Sequence, residues 1–158
     1  MIPDKVNNPA GVSMFIDTPM ALPANSLVAP WSEFRVDPNY ISTESAYGSL
    51  YFNGSASQKG VFLMSISMAI SGDQKGDYTF HFFVDGVQAG SGFLIKLENQ
   101  PSVGAISWSH LVRINTTAII DFRNTSAPGD FVVESADWSV LRVSSDGCMN
   151  IPPGVMVR

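Results

Sequence analysis

Charge is scarce in this chain. Asp, Glu, Lys and Arg supply 15% of its 158 residues, against about 25% in ordinary globular domains. Nine basic residues face fourteen acidic ones, the formal net charge is −5, and no basic run occurs. That argues against a nucleic-acid surface, whose affinity is carried largely by Lys and Arg contacts to phosphate. Cysteine is limited to Cys148, which excludes an intrachain disulfide and has no neighbouring His or basic cluster to make it a reactive thiol. No apolar run approaches the roughly 18 residues of a membrane span. The opening Met1-Ile2-Pro3-Asp4-Lys5 lacks the basic and apolar regions of a secretory leader, so a soluble chain made in the cytoplasm is expected, with no membrane partner. No segment of ten or more residues carries a helical period, and helix content is expected to be near nil.

What is present is alternation. In Gly60 to Ser71, GVFLMSISMAIS, Phe62, Met64, Ile66, Met68 and Ile70 share one face, and Ser65, Ser67, Ala69 and Ser71 share the other. The turn-forming cluster from Gly72 to Asp77 separates it from Tyr78 to Val84, whose Phe80 and Phe82 can meet that row in an antiparallel hairpin. Further strands are expected at Ser49–Asn53, Phe93–Leu97, Val103–Asn115, around Ala118, Ile120 and Phe122, and at Phe131–Ser144. Asn53-Gly54 and Asp85-Gly86 mark tight turns, though the small residues from Val87 to Gly92 also allow a wider loop. An apolar share of 45% in a chain of this length suffices for one core without metal or disulfide.

Residues 1–40 differ from the rest. They hold six of the ten prolines, each removing a backbone donor, so regular elements between them must be short. A disordered tail is the bland reading. Met14, Phe15, Ile16, Leu22, Leu27, Trp31 and Phe34 are too apolar for a solvated tail and point to an extended arm packed on its own domain or a neighbour, with Asn25–Ala29 and Glu33–Val36 as its first strands. The organisation expected is an arm over 1–40, a β-sandwich over 41–146 and an irregular tail over 147–158.

Candidate chemistry is thin. His81 and His110 have no partner at metal-ligand spacing, and read as an outward-row residue and a hydrogen-bonded core residue. There is no Gly-x-Ser-x-Gly elbow, no phosphate loop, and no way to choose a catalytic pair among fourteen carboxylates. No catalytic residue, cofactor or metal is assigned. Trp31, Tyr40 and Tyr47 are the aromatics best placed to stack on a sugar, with Trp31 read rather as an interface anchor. The sequons at Asn53, Asn115 and Asn124 read as chance. Five apolar residues sit on the wrong parity for the core: Val61, Leu63, Ile119, Leu141 and Val143. A β-bulge explains one such breach; five on three strands predict a subunit interface.

Five segments together resemble the C1q and tumour necrosis factor-like jelly roll. They are GVFLMSISMAI (Gly60 to Ile70), DYTFHFFVDGV (Asp77 to Val87), LVRIN (Leu111 to Asn115), IIDFRN (Ile119 to Asn124) and ADWSVLRV (Ala136 to Val143). The likeness spans 47–144. Phe62 stands where that family usually has Tyr, and Asn115-Thr116-Thr117 replaces its Gly-Asp turn. The resemblance implies an all-β, antiparallel two-sheet jelly-roll sandwich of ten strands that assembles as a tight homotrimer. Short chains of this kind are similar to phage head decoration (cement) proteins, fibre knobs and spore-surface proteins. The expectation is therefore a non-enzymatic virion structural protein on the capsid surface. It would partner itself and the major capsid protein, with the arm residues Phe15, Ile16, Leu22, Leu27 and Trp31 docking it on the shell. A receptor- or carbohydrate-binding knob of a tail or head fibre is the alternative.

Overall fold

The computed structural model describes residues 11–36, 42–44, 48–99, 102–144 and 156–157. Twelve strands form two sheets: β1 Gly11–Ile16, β2 Met20–Leu22, β3 Ser32–Val36, β4 Ser42–Glu44, β5 Ser49–Asn53, β6 Gly60–Gly72, β7 Gly76–Val84, β8 Val87–Leu97, β9 Ser102–Ile114, β10 Thr117–Ser126, β11 Phe131–Ser144 and β12 Met156–Val157. One sheet has the order β12-β9-β6-β11-β1-β3, with β2 also on β11, and the other has the order β4-β5-β10-β7-β8. Every pairing is antiparallel except β12 on β9. The expected two-sheet jelly-roll sandwich is the observed one. The only helical element among the described residues is a single 3-10 turn, Ala56–Gln58.

The period-two rows become the core. Met64, Ile66 and Met68 on β6 and their neighbours Trp138 and Val140 on β11 face Phe80 and Phe82 on β7 and Ala118, Ile120 and Phe122 on β10, all buried. The hairpin expected between β6 and β7 is a correction: the two strands meet face to face from different sheets, and the turn cluster between them is a crossing from one sheet to the other. Ring packing knits the layers: Phe82 lies 5.4 Å from Trp138 and 5.3 Å from Phe122, and Phe80 stacks on Phe122 at 5.6 Å. Such pairs add about 0.5–1.5 kcal/mol each beyond the area they bury. At Asp85-Gly86 the φ angles of +50° and +82° and the pairing of Val84 with Val87 give the tight hairpin turn, not the wider loop.

The arm expected over 1–40 is not separate from the sandwich where it is described. β1 lies between β11 and β3, and Val12, Met14 and Ile16 join the core row. The described prolines of this region fall outside the strands: Pro19 precedes β2, and Pro23 and Pro30 lie between β2 and β3. The expected strand at Asn25–Ala29 is a single bridge from Leu27 to Arg123, flanked by Val28 N–H donating to the Phe122 carbonyl and Asn124 N–H donating to the Ser26 carbonyl. Residues 1–10 lie outside the described residues. The tail over 147–158 is likewise not wholly irregular, since β12 pairs with Val112 and Arg113; Cys148 lies outside the described residues.

Candidate functional site

The long, flat register of β6 against β9 and β11, and of β11 against β1, sets outward side chains in rows across four strands. In chain-crossing order from β9 to β1 they run Leu111–Leu63–Leu141–Gly11, then Ser109–Ser65–Ser139–Ser13, then Ser107–Ser67–Asp137–Phe15, and Ala105–Ala69–Ser135 across three. Asp137 is the one charged side chain in these rows. The hydroxyls satisfy one another, Ser65 with Ser109 and Ser67 with Ser107 at 3.0 Å each. Small side chains leave a depression of about 360 Å³ over Ser67, Ala69, Ala105, Ser107, Ser135 and Asp137. A neighbouring surface can come close to the backbone here without desolvating charge, apart from Asp137.

The five predicted interface residues do not share this face. Leu63 and Leu141 are direct cross-strand partners in it, Leu63 half-buried and Leu141 45% exposed. Val143, 42% exposed, continues the outward row of Ser139 and Leu141 and is the extra residue of a bulge between Arg142 and Ser144. Val61 is a correction: it is 0% exposed within the single chain, at mid-sheet between Arg113 and Ser144, and offers no surface. Parity gives the side a residue points to, not what covers it. Ile119 is the second correction. It is 47% exposed but lies on the five-stranded sheet beside Tyr51, on the opposite outer face of the sandwich. Leu111, which completes the leucine row, was missed because its parity neighbours Ser107 and Ser109 made it look solvent-facing.

The arm residues fare differently from one another. Ile16 is buried in the core, and so is Trp31, whose ring meets Trp138 edge-on at 5.6 Å while its Nε1–H donates to the Val28 carbonyl at 2.8 Å. Neither can dock on a shell or a sugar. Leu22 and Leu27 are half-buried, held on β11 and Arg123. Phe15, half-buried in the third row of the seven-stranded face, remains available. Tyr40 and Tyr47 lie outside the described residues.

On the other outer face Arg123 forms a two-pronged ion pair with Asp121 (2.7 and 2.9 Å) and lies 4.2 Å over the Phe83 ring; the hydrogen bonds it donates to Asp121 hold its pKa above the ordinary value. Asn124 is buried, accepts from Asn25 N–H, and spends its side-chain amide on the Thr79 and Ser126 carbonyls, so this sequon has no free nitrogen. His81 is half-buried against Thr125, and His110 stacks on Trp108 at 5.0 Å; burial lowers the pKa of both. Among the described residues no group of three or more His, Cys, Asp or Glu is arranged to hold a metal, and no helix is long and apolar enough to cross a membrane.

No family model and no curated protein matches the sequence. Solved structures do. The globular domain of zebrafish complement 1qA protein superimposes with a TM-score of 0.63 at 9% identity, covering 87% of this chain and 99% of that one. Eiger TNF from S. frugiperda does so with a TM-score of 0.59 at 8% identity, covering 91% and 98%. At such identities the likeness is one of fold. The chain has the C1q/TNF-like jelly-roll fold.

Proposed function

We propose that this chain is a homotrimeric structural protein of a virion surface, of the kind that decorates and stabilises the outside of a head shell. The observation that carries the assembly is the face built from Leu63, Leu111, Leu141 and the serine and alanine rows: broad, nearly uncharged and floored by small side chains. A ring of three closes through a heterologous contact, which needs a second and different surface. The half-exposed row Ile106, Trp108 and His110, where β9 meets the edge strand β8, supplies an aromatic one. Apolar patches of this kind on a low-charge chain are the usual mark of a partner.

The position on a virion is read from the acidic, base-poor composition, which suits an external site away from packaged nucleic acid, together with the jelly-roll fold, which short phage decoration chains are expected to share. With Ile16 and Trp31 in the core, docking on the major capsid protein falls to Phe15 and to residues ahead of β1. Three linked chains gain avidity over one, and binding only the assembled shell stabilises it by the free energy of that binding.

The test is sedimentation of the purified chain at micromolar concentration together with its recovery from gradient-purified particles. A trimer that copurifies in fixed stoichiometry, and a deletion of residues 1–10 that stays trimeric but leaves the particle, are expected. A monomer, or a trimer absent from particles, rejects the reading. Glycan binding lost on Tyr40→Ala would favour the fibre-knob alternative.

A further inference from the structure

The proposed assembly has an electrostatic requirement that the single chain does not meet. Asp137 is the one charge in the four outward rows; it is exposed and holds no hydrogen bond or ion pair among the described residues. It borders two depressions at once, one of about 360 Å³ over Ser67, Ala69, Ala105, Ser107 and Ser135, the other of about 460 Å³ over Ser13, Phe15 and Ser139. A neighbour seated on this face covers the carboxylate, and an ion taken out of water without a partner opposes association strongly. The neighbour therefore has to bring a cation.

Several of the described basic groups are already committed. Arg123 is tied to Asp121, and Arg142 donates to the Lys59 and Ala56 carbonyls. Arg113 lies at the far end of β9, where β12 pairs. Lys59 and Lys75 stand in the connections before and after β6, at its two ends, whereas Asp137 meets Ser67 near its middle. Lys96 is exposed on the edge strand β8, and no ion pair joins it to Asp77, its cross-strand partner, or to any other described residue. Its carbonyl oxygen lies 3.4 Å from where a Cβ on Gly104 would be, which sets it against β9 beside the half-exposed Ile106 and Trp108. A ring of three about an axis along the strands keeps each residue at its own level. Gly104 is three residues, about 10 Å, from Ser107 in the row of Asp137, and an extended lysine side chain spans most of that step.

We propose that Lys96 of one copy pairs with Asp137 of the next, so that the ring closes through three identical charge-assisted contacts. This rests on the trimer proposed above and names the residue that each copy contributes to its neighbour. The ammonium enters the smaller depression, whose serine and alanine floor leaves room for it; the hydroxyls of Ser67 and Ser107, joined at 3.0 Å, line its path. The pair also sets direction. Asp137 faces the copy on one side and Lys96 the copy on the other, as a heterologous contact requires, and matched charges fix the register of the two surfaces.

Sedimentation of the full chain over a dilution series reads the pair and the trimer separately. Asp137→Lys and Lys96→Asp should each weaken trimer formation about tenfold or more, and the two together should restore it to within about threefold of the parent. Both side chains are exposed, so neither substitution touches the core. A trimer that the single substitutions leave intact, or that the double does not recover, overturns the pair and leaves the trimer standing. A parent chain that stays monomeric overturns both. Carbodiimide joins an amine to a carboxylate in contact by an amide bond, the reagent taking up the water as a urea, and so tests the unaltered chain. Mixed isotope-labelled and unlabelled copies should give a Lys96–Asp137 cross-link that carries both labels. A trimer whose cross-links omit this pair, or carry it only within one label, has the same force against the proposal.

Discussion

Truncating Trp31 separates a core residue from a docking residue. In the folded chain its ring is 2% exposed, sits edge-on to Trp138 at 5.6 Å, and donates its N–H to the carbonyl of the fully buried Val28 at 2.8 Å. Trp31→Ala removes the ring and leaves a cavity beside Trp138, at a cost of about 3–5 kcal/mol. Trp31→Phe keeps most of the packing but orphans the Val28 carbonyl, at about 1–3 kcal/mol. With a urea m-value of about 2 kcal/mol/M, the alanine variant should lose about 1.5–2.5 M in denaturation midpoint and the phenylalanine variant about half as much. Both must be compared with the unaltered chain at equal protomer concentration, because assembly contributes to apparent stability. An alanine variant within about 1 kcal/mol of the parent that nonetheless loses particle binding would refute this reasoning and return Trp31 to an arm.

Leu141→Glu should leave the single chain folded, since Leu141 is already 45% exposed, yet weaken self-association about tenfold or more by burying an unpaired charge. Ile119→Glu on the opposite sheet should leave sedimentation unchanged, and equal effects from both would remove the assignment of the interface. Asn124→Ala deletes the hydrogen bonds to Asn25, Thr79 and Ser126 inside the protein and should cost about 2–4 kcal/mol; a melting temperature near the parent's would contradict this. Gly92→Ala meets the Phe80 carbonyl and the His81 ring, so circular dichroism should find a less stable sandwich, with His81→Ala restoring only part of the loss because the carbonyl remains.

The long strands were readable because their rows are. Phe62 to Ile70, Tyr78 to Val84 and Ala136 to Val140 alternate without interruption over several residues, which is enough to mark a strand whatever its partner. β1 alternates too, with Val12, Met14 and Ile16 inward, but it is six residues long and its partner lies more than a hundred residues away. Local pattern carries no information about that distance, and the flanking prolines suggested an arm. The outward face proposed for assembly was half readable for a related reason. A two-sheet sandwich has two outer faces, and parity alone assigns Leu63 and Ile119 to "outside" without saying which.

The placement of β1 has a consequence for how the molecule is made. Its ladder joins Gly11 to Leu141 and Ile16 to Ala136, and the stretch after it is laced to β10 through Leu27, Val28 and Asn124. Synthesis runs from the amino end, so β1, which can pair early with β3, must wait for β11, more than a hundred residues later, before its other edge is paired. The hairpin β7–β8 has no such delay. The order of closure in the nascent chain therefore departs from the order of synthesis: the middle can set first, and the edge of β1 that meets β11 is sewn in last.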